Sequence, residues 1–180
     1  AMKEKINTSF LEGLKDGIPI GIGYVSVSMS FGMIAVSMGI PLEMAVLISL
    51  SNVTSAGQFA GLNILLMHNA YIQMALTQLI INLRYSLMSL SLSQKVDTKM
   101  KTWERMLIAF GITDEIFVLA SNKEGKVSRN YMLGLILVPI IGWTLGTYIG
   151  AKASTLLPES ISNCLQIAIY GMFLAIIVPP

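Results

Sequence analysis

The chain has 180 residues, of which 54% are hydrophobic and 12% charged, where an ordinary soluble domain carries about a quarter charged residues. Its net charge is only +2, and the basic residues lie scattered between apolar stretches. No clustered positive surface could track a phosphate backbone, which argues against nucleic acid as a partner.

Residues 17–42, 44–83 and 130–151 contain no Asp, Glu, Lys or Arg. A transmembrane helix needs about 20 mostly apolar residues to cross roughly 30 Å of hydrocarbon, so the composition points to a lipid-embedded protein. Runs this long favour helices over the roughly ten-residue alternating strands of a barrel, because every backbone amide in lipid must be paired within the protein. The expected fold is all-α, a polytopic helical membrane protein.

The first stretch, residues 1–17, reads "AMKEKINTSFLEGLKDG". It mixes Lys and Glu and lacks a short apolar core followed by a small-residue cleavage site. It is expected to be a cytoplasmic or interfacial lead-in, with 18–180 forming one transmembrane domain. Six apolar segments follow: Ile18 to Ile40, Leu42 to Met67, Tyr71 to Ser93, Trp103 to Ala120, Tyr131 to Leu157 and Ile161 to Val178.

In the first segment Pro19 is expected to mark a helix start, and Gly13, Gly17 and Gly21 recur at four-residue spacing. Small residues so spaced line one helix face and let backbones approach closely. The second segment carries "SLSNVTSAGQFAG", residues 49–61, a polar run halfway along an apolar stretch. Such a run predicts an interrupted helix, since irregular backbone at membrane depth survives only where protein buries it or a cavity solvates it.

If all six segments cross, the Lys and Arg residues other than Arg84, those near the segment ends included, divide almost evenly, six against five. If the second segment instead returns to its starting side, the division becomes eight against three. The second arrangement satisfies the excess of cytoplasmic Lys and Arg that orients membrane proteins. His68, beside Asn69, is expected in a solvated loop.

The third segment holds Arg84, too deep to reach the interface. A charge at a helix centre costs about 2.5–3.5 kcal/mol on insertion scales and usually faces a partner charge or a cavity. Gln78, Asn82 and Tyr85 form a stripe at i, i+4, i+7, whereas Asn82 and Arg84 diverge by about 200°. The helix therefore either shows two polar faces or is distorted near Asn82.

The fourth segment supplies the counter-charges in "AFGITDEIFVLA". Asp114 and Glu115 are adjacent, so on a helix their side chains diverge by about 100°. One can neutralise Arg84 while the other faces a substrate path; a purely structural ion pair locking two helices is the competing interpretation.

In the fifth segment Gly142, Gly146 and Gly150 form another packing stripe, and Pro139 predicts a kink. The Gly-rich first segment leading to "GIPLEMAVL" is similar to the fifth leading to "LLPESISNCL", which suggests a faint internal repeat of the kind common in secondary transporters. Cys164 is the only cysteine, so no disulfide framework or thiolate metal cluster can form within the chain. The twelve Met residues read as packing or lipid-facing, and no metal or other cofactor is expected. The final "AIIVPP" has no polar tail and suggests that this is part of a longer chain.

An intramembrane protease would need a nucleophile with a positioned base, or two facing aspartates. Asp114 is the sole deep aspartate, so no enzyme is expected.

The succession "DGIPIGIGYVSVSMSFG", "SNVTSAGQFAG", "INLRYSLMSLSL", "ITDEIFVLA" and "GWTLGTYIG" resembles the AzlC family of bacterial branched-chain amino acid exporters. The resemblance spans nearly the whole chain, and the elements at Gly57, Asn82 and Thr113 make it specific. It implies a multi-pass protein of the bacterial cytoplasmic membrane that exports leucine, isoleucine, valine and related amino acids such as methionine. Coupling to the proton gradient and a small AzlD-like membrane partner are implied as well. On that basis Gly57, Gln58, Phe59, Asn82 and Arg84 are the expected substrate-binding residues, with Asp114 and Glu115 serving proton coupling or an ion pair. The alternative is a non-transporting assembly subunit whose buried Arg/Asp/Glu centre is structural.

Overall fold

A computed structural model describes residues 6–7, 9–65 and 70–154. The described residues are almost wholly helical: α1 (Phe10–Ser37), α2 (Leu42–Ser51), α3 (Ser55–Leu65), α4 (Tyr71–Ser93), α5 (Thr102–Phe110), α6 (Asp114–Asn122) and α7 (Arg129–Ser154), with β1 (Ile6–Asn7) and β2 (Lys126–Val127). The sixth predicted segment, His68, Cys164 and the "LLPESISNCL" part of the proposed repeat lie outside the described residues.

α1 and α7 are long and apolar enough to cross a membrane. At about 1.5 Å per residue, their 28 and 26 residues exceed the hydrocarbon thickness. They pack in parallel, because Gly13 lies against Tyr131, Gly17 against Leu135, Gly21 against Val138 and Gly32 against Thr147. A methyl group added at Gly13, Gly142, Gly146 or Gly150 would run into the backbone of the opposite helix. Both glycine stripes therefore serve close packing.

α1 begins at Phe10, inside the stretch expected to be a lead-in, and Ser9 caps it by accepting from the Glu12 amide. Two of the charges in this stretch, Glu12 and Asp16, are paired across the fold with Lys123. Pro19 accordingly sits within α1 rather than at its start, and Pro139 sits within α7.

The second and fourth segments are each broken into two half-helices of nine to eleven residues. At about 1.5 Å per residue each half spans roughly half of a 30 Å hydrocarbon core. The polar run predicted the first break, at 52–54. The second, at 111–113, departs from the single fourth segment expected: Thr113 caps α6, and Asp114 and Glu115 occupy its first turn, where carboxylates complement the helix dipole.

Contacts fix the direction of every helix. β1 pairs in parallel with β2, and Val96 bridges to Val127, with Asp97 N–H donating to the Val127 carbonyl (2.9 Å) and Val127 N–H to that of Lys95 (3.0 Å). The start of α1, the end of α4 and the start of α7 therefore share one end of the molecule. From that end α5 runs alongside α7, from Glu104 at Arg129 (2.7 Å) to Gly111 against Ile136. α6 then returns beside α1, from Glu115 at Tyr24 back to Lys123 at Asp16 (2.8 Å).

The other hairpin enters from the opposite end. After α1, Gly39 turns the chain with a φ of 87°, a conformation that favours glycine. α2 descends until Ser49 meets Thr147 (2.7 Å). α3 returns antiparallel to α4, from Thr54 at Asn82 through Gly57 at Gln78 to Gly61 near Met74.

The expectation that the second segment alone returns to its starting side is thus corrected. With one such hairpin, α1 and α7 would run antiparallel; two hairpins, entering from opposite ends, make them parallel.

Candidate functional site at the hairpin tips

The two breaks meet halfway along α4. Ser51, Asn52 and Thr54 of one tip and Phe110 and Ile112 of the other, with Asn82 and Tyr85 of α4, line a cavity of about 170 Å³. That is smaller than the 300–1,000 Å³ typical of drug-sized ligands. α4 is one continuous helix, so the choice left open by the sequence resolves in favour of two polar faces.

One face holds the first hairpin. The Thr54 hydroxyl donates to Asn82 Oδ1 (3.0 Å), Asn82 Nδ2 donates to the Gln78 carbonyl (2.8 Å), and Gln78 Nε2 donates to the Gly57 carbonyl (2.8 Å). The other face carries Arg84, whose guanidinium pairs with Asp114 Oδ2 at 3.0 Å and donates to the Tyr85 hydroxyl at 3.1 Å. Glu115 diverges from Asp114 and accepts from the Tyr24 hydroxyl. A polar chain therefore runs from Tyr85 at the cavity through Arg84 to Asp114.

The Arg84–Asp114 pair is not enclosed as expected: the two side chains are 45% and 43% exposed. Asp114 opens instead onto a groove between α1 and α6.

The structure brings Asn82, Arg84, Asp114 and Glu115 together at this level, while Gly57 joins through its carbonyl. It does not bring Gln58 or Phe59 to the cavity. Gln58 is 2% exposed, and both ends of its amide are used, Nε2 donating to Ser49 (2.9 Å) and Oε1 accepting from Trp143 Nε1 (2.8 Å). Phe59 packs edge-on against Phe31, with ring centroids 5.6 Å apart. Residues the sequence reading did not select, Asn52, Tyr85 and Phe110, line the cavity; the signal for Tyr85 was its place on the Gln78–Asn82 stripe. Among the described residues no group of three or more His, Cys, Asp or Glu is placed to hold a metal ion.

The AzlC protein family matches residues 19–157. The chain belongs to the AzlC family. Its relatives include the inner membrane protein YgaZ of Escherichia coli, 33% identical over 81% of this chain and 61% of that protein. An uncharacterised membrane protein of Archaeoglobus fulgidus is 29% identical over 94% of this chain and 75% of its own length. One of Helicobacter pylori is 28% identical over 79% and 64%. The chain thus spans about three fifths of YgaZ, and the relatives are themselves membrane proteins. No solved structure matches it.

Proposed function

We propose that this AzlC-family chain is the transport-bearing part of a proton-coupled exporter of branched-chain amino acids in the bacterial cytoplasmic membrane, acting with a small AzlD-like partner. The observation that carries this reading is the meeting of two interrupted helices, from opposite ends, at one small cavity beside an Arg–Asp pair. Discontinuous helices with a site between them near the membrane midplane are a recurrent design of secondary transporters.

In this reading Arg84 holds the substrate carboxylate, a charge-assisted contact that competes with Asp114 for the guanidinium. Asp114, once released, takes the ammonium or a proton, with Glu115 and Tyr24 completing the relay. Val53, Phe110 and Ile112, rather than Phe59, hold the apolar side chain, while Asn52, Thr54 and Asn82 supply polar contacts. A long helix followed by a hairpin occurs twice in opposite directions, as α1–α3 and α4–α6, which supports an inverted repeat.

Orientation follows from charge. Every described Lys and Arg except Arg84 and Lys152 lies at the end shared by the start of α1 and the loops joining α4 to α5 and α6 to α7. By the positive-inside tendency this end faces the cytoplasm. The full-length protein, reconstituted with its small partner, is expected to move labelled leucine, isoleucine and valine when a proton gradient is imposed, and to leave serine and aspartate untransported. Failure to move any apolar amino acid would refute the reading.

A further inference from the structure

A groove of about 810 Å³ runs between α1 and α6 from the basic end to the ionic centre. Lys123, Lys15 and Asp16 stand at its mouth, Pro19, Ile20, Val118 and Leu119 form its walls, and Asp114 and Glu115 lie at its floor. Lys123 bridges Glu12 and Asp16 at 2.9 and 2.8 Å, so the mouth is tied across from α6 to α1. These hydrogen bonds, that to Asp16 foremost, raise the Lys123 pKa and keep the rim charged.

A groove facing lipid would not carry ionisable groups at its inner end, because each is costly to hold in hydrocarbon. Where the groove ends, the half-exposed Asp114 carboxylate and its partner Arg84 are better matched by water or a polar solute than by hydrocarbon. Toward the opposite end, the α2–α3 hairpin is pinned to α7 by the buried Ser49–Gln58–Trp143–Thr147 bonds.

Building on the exporter reading, we propose that the α1–α6 groove is a water-filled vestibule opening to the cytoplasm, through which an amino acid zwitterion reaches the Arg84–Asp114 pair. The structure is then the loading state of an exporter, open on the side from which the substrate comes. Lys123, Glu12 and Asp16 form the rim, their charges paired with one another, and Asp114 receives the ammonium group at the floor.

The test uses full-length protein freed of every native cysteine, Cys164→Ser included, in membrane vesicles of known orientation, carrying Val118→Cys or Leu119→Cys in the groove wall. Leu87→Cys is the comparison, on the open face of α4, 70% exposed and about as far from the basic end. A membrane-impermeant maleimide is expected to label positions 118 and 119 from the cytoplasmic side while leaving position 87 unlabelled. Protection of 118 and 119 from both sides, or labelling only from outside, would overturn the vestibule. Amino acid transport is measured separately on the wild type. Transport without labelling overturns the vestibule alone, whereas a labelled groove in a protein that moves no amino acid overturns the exporter reading and leaves the vestibule standing.

Discussion

Replacing Gln58 by Leu isolates the bond set that pins the first hairpin to α7. Gln58 is 2% exposed, Ser49 and Thr147 are fully buried, and Trp143 is 2% exposed, so water cannot compensate for a lost partner. The substitution removes the acceptor of Trp143 Nε1–H and the donor to Ser49 Oγ. Ser49 keeps its bond to Thr147, whereas the indole N–H is left unpaired. An orphaned buried donor costs about 1–3 kcal/mol, and that is the expected loss of stability in a detergent-unfolding titration. Trp143→Phe removes the orphan itself, so the double variant should lose less than the sum of the single losses. The coupling is expected at about 0.6 kcal/mol, the average for interhelical hydrogen bonds in membranes, and at most about 1.7 kcal/mol. Additive losses would refute the reasoning that Gln58 is a structural pin and return it to consideration as a ligand-facing residue.

Gly146→Val, driven into the backbone at Val25, should destabilise the α1–α7 pair by about 1–3 kcal/mol as overpacking does, read as a lower melting temperature; an unchanged value would contradict the parallel packing. Lys123→Ala removes two ion pairs whose three side chains are 25–44% exposed, so stability should fall by at most about 1 kcal/mol, and less at high salt. Asp114→Asn leaves Arg84 without its counter-charge, whereas Arg84→Gln/Asp114→Asn removes both charges; the double variant should melt above the Asp114→Asn single variant. Lys99→Cys and Lys126→Cys should react with an impermeant reagent from the same side of the membrane, and Gly39→Cys from the other. Reaction of positions 99 and 126 from opposite sides would mean that the fourth segment crosses fully.

Hydrophobic runs and polar punctuation made much of the architecture legible in the sequence. α4 runs from Tyr71 to Ser93, as its apolar run indicated, and the break after Ser51 follows from the polar residues clustered there. The break at Gly111 had a local signature, a capping Thr113 followed by two acidic residues, but the apolar residues on either side of it read as one span. The early start of α1 was hidden for a different reason. Glu12 and Asp16 belong to α1 yet meet Lys123, a partner more than a hundred residues away in sequence. Gln58 and Phe59 drew attention as an unusual motif, yet which of their neighbours they touch depends on the hairpin packing against α7 and α1. Arg84 with Asp114 was legible because intramembrane charges have few ways to be satisfied.

The central claim is that an amino acid carboxylate exchanges with Asp114 at Arg84. Equilibrium binding of labelled leucine to the purified full-length protein, with the proposed AzlD-like partner present, tests it most directly, comparing the wild type with an Arg84→Gln variant shown to retain its folded helical content. The account predicts saturable binding to the wild type, displaced by isoleucine and valine, and its loss in Arg84→Gln. Equal leucine affinity in the two proteins would contradict it.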